Sequence, residues 1–180
     1  MSTYHHRNLR AALLRAAGKR LEKQGIAALS LREAARRTGV SHNAPYRHFA
    51  DREALLAALA AQGFDRLRQA MHGQTGRGMG EAYVRFALQH PQRFRLMFGG
   101  QIAPEKYPRL RAAACSAFDQ LQTAFSGYAG DARSAAVAAW SLVHGLCYLI
   151  LEGHFARRDE EFVKRVLGVV RFAVGPQRSA

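Results

Sequence analysis

One hundred and eighty residues, 48% of them apolar, are enough to bury a proper core in one to two domains. Twenty-seven lysines and arginines against 13 acidic residues give a net charge of +14, which points to a polyanionic partner, and the two cysteines exclude a secreted disulfide framework. The excess is uneven. Residues 1–52 hold 11 basic and 3 acidic side chains (+8), while the remaining 128 hold 16 and 10 (+6). A generally basic composition accounts for the second figure but not for the asymmetry. The opening Met-Ser-Thr-Tyr-His-His-Arg has no apolar core segment, so no secretion signal and a cytoplasmic location are expected.

In chain order, Leu9, Leu13, Ala16, Ala17 and Leu21 recur at helical spacing, with Gly25 as a stop. Ser30 and Glu33 have the spacing of a capping box, which predicts a helix beginning just after Ser30. Leu31, Ala34, Ala35 and Thr38 keep one of its faces small. Gly39 suits the left-handed residue that ends a helix, and Val40 can then plug into the core. Ser41 offers a side-chain oxygen to the next helix. That helix is short because Pro45 is tolerated only in a first turn, so it starts at His42 or Asn43. It carries His42, Asn43, Tyr46, Arg47 and His48, too many polar groups for a helix serving only the core. Cap, glycine turn, polar helix and basic flank together predict a helix-turn-helix that offers side chains to a DNA major groove.

These residues resemble the N-terminal domain of TetR-type transcriptional regulators. The matching motifs are the Leu-Arg-Glu-Ala run at Leu31–Ala34, the Gly-Val-Ser turn at Gly39–Ser41, the Tyr-Arg-His-Phe run at Tyr46–Phe49 and the Asp-Arg-Glu run at Asp51–Glu53. The resemblance covers residues 7–62. Further on, Trp140, His144 and Gly145 are similar to the Trp…His-Gly (WHG-type) signature of one branch of that family, as are Phe94–Gly99 after His90-Pro91. By this analogy Ser30, Ser41, Tyr46 and Arg52 grip phosphate. Asn43 and Arg47 have the side chains best able to pair with adenine and guanine edges.

The rest of the chain reads as helix almost throughout. A helix from Arg52 to Met71 buries Leu55, Leu56, Leu59 and Leu67. Residues 72–80, with four glycines in nine positions, are expected to be a flexible loop between DNA-reading and signal-receiving parts. Helices follow at Ala82–Gln89, Gln92–Phe98 and 109–126. Asp131 caps one running to about Glu152, and Asp159 caps one running to about Ala173. Gly175–Ala180 is expected to fray. The stretch Ala135–Leu151 has no charged residue, but at seventeen residues it is short of a membrane span and is read as a buried helix. Cys115 and Cys147 both sit in apolar helical contexts, as small hydrophobes.

No catalytic motif is found: there is no glycine-rich phosphate loop, no His-Glu-x-x-His and no Gly-x-Ser-x-Gly. The acidic run Asp159–Glu161 is explained by the helix dipole. Eight histidines make no compact ligand set: His5 and His6 lie in a tail, His42 and His48 on the reading element, and His144 and His154 on different helix faces. No metal and no cofactor are expected. Trp140 and His144, four apart, share a helix face. They either pack a core or line a cavity for a small apolar effector with Phe94, Met97, Phe98, Phe118, Phe125 and Tyr148, and the residues alone do not separate these readings.

The expected architecture is all-α, with about nine helices. Residues 1–52 form a three-helix DNA-binding domain and residues 53–180 an effector and dimerisation domain. The resemblance implies a homodimer on an inverted-repeat DNA operator, released by a small molecule. It also implies a four-helix bundle from the last two helices of each subunit. Leu142, Leu146, Leu149 and Ile150 with Val163, Val166, Leu167 and Val170 supply apolar stripes for it. Two rivals stay open: a sequence-neutral architectural DNA binder and, with less support, a small helical enzyme.

Overall fold

The structure, a computed structural model, describes residues 9–74, 76–128 and 130–169. Among them are eight α-helices and no strand: α1 Leu9–Gln24, α2 Leu31–Thr38, α3 Arg52–Met71, α4 Gly76–Gln89, α5 Pro91–Phe98, α6 Pro108–Ala124, α7 Ala132–Leu151 and α8 Glu160–Gly168. Short 3-10 turns occupy Ile26–Ala28, Ala44–Arg47 and Pro104–Lys106. His5, His6, Val170 and the tail from Gly175 lie outside the described residues. Of the nine helices expected, the third, read from His42 or Asn43, is instead the Ala44–Arg47 turn, which is too short and too tightly wound to count as an α-helix.

Caps account for the helix boundaries. Ser30 is extended, and its hydroxyl oxygen accepts from the Glu33 N–H at 3.1 Å. Asp131 accepts from the backbone N–H groups of Arg133 and Ser134, and Asp159 from that of Phe162. Gly39 is left-handed, at φ 68°, and the Val40 N–H reaches back to the Ala35 carbonyl at 3.2 Å, the six-residue closure of a Schellman motif. The helix expected from Ala82 begins six residues earlier, at Gly76. Glycine raises the cost of helix but does not forbid it, and the burial of Met79, Ala82, Tyr83, Phe86 and Ala87 on one face offsets that cost.

Two compact units emerge. Among the described residues, the first comprises those up to Phe64 together with His90–Ala113, and the second those of Asp65–Gln89 and from Ala114 onward. In the first, α1 packs on α2 and α5, around fully buried Leu13, Leu21, Leu55, Leu59, Phe94 and Leu96. In the second, α4 packs on α7 and α8, and a smaller apolar group joins Phe125 to Ala135, Ala136 and Ala139. By length and composition α7 could cross a membrane, but its Ala135, Ala136, Ala139, Val143, Leu146, Cys147 and Ile150 are buried against protein. Of the cysteines, only Cys115 differs from expectation. Both are free, yet Cys115 is exposed, while burial raises the Cys147 thiol to about 12.

Gly39→Ala meets no steric obstacle, since nothing lies within 4 Å of an added Cβ, so its cost is that of the left-handed backbone alone. Chemical denaturation should show a loss of about 1–2 kcal/mol; an unchanged stability would mean that the Schellman turn does not hold this helix end.

Candidate nucleic-acid interface and aromatic cluster

The turn between α2 and α3 is anchored from below and open above. Pro45 and Phe49 are buried, whereas Ser41, His42, Asn43, Tyr46 and Arg47 are exposed and His48 is half-buried. Tyr46 leaves 48% of its surface in solvent, so both its ring and its hydroxyl are open to a partner. The turn is closed by backbone bonds, from the Ala44 N–H to the Ser41 carbonyl at 3.0 Å and from the His48 N–H to the Pro45 carbonyl at 2.9 Å. The cap expected from the Ser41 side chain is not formed; the Ser41 carbonyl takes that place.

Arginines fasten the segments around this turn. Arg52 donates through Nε to the Leu29 carbonyl at 2.8 Å and through Nη2 to the Ile26 carbonyl at 2.7 Å. Two of its donors are therefore spent inside the fold rather than left for phosphate. Arg20 donates to the Ala28 carbonyl at 2.7 Å and to Glu33 at 3.0 Å. Glu33 completes only half of the expected capping box. Its N–H meets Ser30, but its carboxylate turns to Arg20, Arg36 and Arg37. The hydrogen bonds from Arg36 and Arg37 hold the Glu33 carboxyl down to about 2. Arg10 lies over the Phe49 ring, 5.2 Å from its centre.

The second unit holds an aromatic cluster with a hydrogen-bonded spine. Trp140 Nε1 donates to the Tyr83 hydroxyl oxygen at 3.0 Å, and the same oxygen lies 2.8 Å from His144 Nδ1. An indole N–H can only donate, so the Tyr83 oxygen accepts from it, and the direction of the Tyr83–His144 bond follows the imidazole tautomer. Phe118 packs on Trp140 at 5.8 Å and Tyr148 on His144 at 5.1 Å between ring centres. Burial raises the Tyr83 pKa well above its ordinary value, which keeps its hydroxyl a donor. Tyr83 is the member that sequence reasoning missed, although the period of buried residues along α4 carried it.

Of the other expected effector contacts, Phe125 belongs to the second unit, while Phe94, Met97 and Phe98 lie in the first. Phe94 is fully buried, and Phe98 packs on Phe94 and Phe64 at 4.9 and 5.2 Å. Met97 covers Gly63. Of the expected dimer stripe, Leu142 and Leu149 are exposed and Val166 is half-buried. Leu146, Ile150, Val163 and Leu167 face the interior of their own unit. Among the described residues no group of three His, Cys, Asp or Glu is placed to hold a metal ion.

Burial lowers the His144 pKa, so the unfolded chain takes up this proton more readily than the folded one. The resulting stability is complete above the ordinary value of 6.5 and is lost as pH falls from there through the lowered folded value. The melting temperature should therefore drop more steeply in wild type than in His144→Gln between about pH 7.5 and 5.5. Superimposable profiles would remove His144 from this account.

Comparison with known proteins agrees with this geometry. Residues 13–59 match the profile of bacterial regulatory proteins of the tetR family, and residues 77–170 that of a tetracyclin repressor-like C-terminal domain. No protein of curated function matches the chain. A Rhodococcus sp. RHA1 protein of unknown function is 35% identical, with 92% of this chain and 94% of that one aligned at a TM-score of 0.79. The TetR family transcriptional regulator PfmR from Thermus thermophilus shares the fold at 21% identity, with 87% and 95% of the two chains aligned and a TM-score of 0.62. The multidrug binding protein EbrR, complexed with imidazole, shares it at 22% identity, with 88% and 92% aligned and a TM-score of 0.60. Regulators of this family are DNA-binding proteins that usually act as dimers with small-molecule effectors. With both of its halves matched, the chain belongs to the TetR family of transcriptional regulators.

Proposed function

We propose that this protein is a cytoplasmic, homodimeric repressor of the WHG-type branch, which reads an inverted-repeat operator and leaves it when a small, mostly apolar molecule binds. DNA reading is assigned to residues 1–52, and effector binding and dimerisation to residues 53–180. The observation that carries the reading is the exposed row Ser41, His42, Asn43, Tyr46 and Arg47 above a buried Pro45 and Phe49. A surface that needed only phosphate contacts would not require Asn43 and Arg47, whose side chains match base edges. A sequence-neutral binder is thus disfavoured. Ser30, Ser41 and Tyr46 remain assigned to phosphate, and His42 and His48 to the groove. Arg52 keeps its assignment only through the donors that it does not spend on Leu29 and Ile26.

For the effector, the supporting group is Phe118, Trp140, His144 and Tyr148, joined to Tyr83. Phe94, Met97 and Phe98, grouped with them on sequence grounds, serve the first unit's core. An effector releases DNA only if it binds the non-reading conformation better, whatever its absolute affinity. Dimerisation is assigned to the outer side of α7, where Val137, Leu142 and Leu149 are exposed beside Ser141 and Gly145. Gly145 has nothing within 4 Å of an added Cβ, which leaves room for a second helix.

Operator duplexes enriched from a random pool test the DNA assignment. Arg47→Ala should weaken binding by about 1–3 kcal/mol and relax preference at one base position. Unchanged affinity and preference on the enriched duplex would refute it.

For the dimer, Leu149→Glu places a charge on the exposed stripe without entering the core, whereas Leu146→Glu would bury an unpaired carboxylate within the monomer. Sedimentation should show Leu149→Glu as a folded monomer with weakened operator binding. A persistent dimer would place the interface elsewhere.

A further inference from the structure

Among the described residues, Arg93 is the only buried charged side chain, at 3% exposure, and the reading surface makes no use of it. It lies on α5, which rests on α1 and α3 where two helical glycines make room. A Cβ at Gly18 of α1 would come within 2.8 Å of Arg93 Nη2. One at Gly63 of α3 would come within 3.2 Å of Arg93 Cγ and 2.8 Å of Met97 Cγ. Each glycine weakens its own helix, and both open onto the same short α5, so the close seat is what they provide.

The guanidinium then spans three helices. Nη1 donates to the Leu59 carbonyl of α3 at 3.1 Å, and Nε lies 3.7 Å from a carboxylate oxygen of Glu22 on α1. The other Glu22 oxygen accepts the Gln92 N–H in the first turn of α5 at 3.3 Å, where a helix leaves its N–H groups unsatisfied. Further along the same segment, Tyr107 stands near the start of α3, where burial and then the Glu53 and Asp51 carboxylates raise its pKa. The start of α5 therefore joins α1 to α3 through Arg93, and these are the helices between which α2 and the reading turn are held.

A buried ion pair is weak evidence for stability, because desolvation cancels much of its attraction, but its fixed geometry can specify how elements meet. We propose that Arg93 is a positioning residue for DNA reading: its buried guanidinium sets α1 against α3, so operator affinity depends on a side chain that never meets DNA. This rests on the DNA-reading assignment above.

The test uses the full chain and a duplex enriched from a random pool by the wild-type protein. Arg93→Met should fold with near-normal helix content, because Met fills the seat and the partly exposed Glu22 can take water. Its affinity for the duplex should fall by about tenfold, with an unchanged slope of log K against log salt because no phosphate contact is lost. Arg93→Lys, which keeps the charge near Glu22 but not the fork to Leu59, should recover part of the loss, and Glu22→Gln should show a smaller one. A folded Arg93→Met that binds like wild type overturns the proposal, as does a shallower salt slope, which would put Arg93 on phosphate. Should Arg93→Met fail to fold, Glu22→Gln decides, and normal affinity there overturns it. A wild-type protein that enriches no duplex would instead bring down the DNA-reading assignment itself, which separates the two failures.

Discussion

A four-residue 3-10 turn cannot hold its own shape, and the rest of the first unit is organised around that constraint. The Ala44–Arg47 turn has few internal bonds, a proline that donates none and no side-chain cap. Its geometry is set from outside, by Pro45 and Phe49 sunk into the core and by the Schellman closure at Gly39 before it. Asp51, which accepts the Ala54 N–H at 2.7 Å, fixes the start of α3 after it. Arg20 and Arg52 then pin the surrounding loop through its carbonyl oxygens. Guanidinium suits this task, because one planar group can satisfy two carbonyls in fixed directions. Part of the basic excess in residues 1–52 is therefore structural. A charge count alone overstates how much of it faces DNA.

The second unit solves a different problem, that of polar atoms in an aromatic interior. The Trp140 indole and the His144 imidazole meet at the Tyr83 hydroxyl oxygen, which ties α4 to α7 through two hydrogen bonds. The sequence could not decide whether Trp140 and His144 pack or bind. The structure gives them a packing role through Tyr83, and a ligand role would be added to that one.

Caps, turns and long apolar periods were legible in the chain. Ser30, Asp131 and Asp159 cap as their spacing indicates, Gly39 is left-handed, and α3 spans Arg52–Met71 as read. Three features were not legible. The glycines of residues 72–80 masked the first turn of α4, because local propensity spoke against a helix that tertiary burial supports. The Glu33 carboxylate has equally plausible local and distant partners, and only the fold brings Arg20 to it. On α7, apolar on nearly every side, spacing could not divide inward Leu146 and Ile150 from outward Leu142 and Leu149. Partners, not residue types, make that division.

The contrast between the two cysteines has a practical side. Cys147 is sealed and its thiol held to about 12, whereas Cys115 stands in solvent on α6. A maleimide dye or nitroxide would thus attach at one defined place on the native chain, with no cysteine to remove and none to add. In an assembly of two copies, that single handle makes α6 its own ruler.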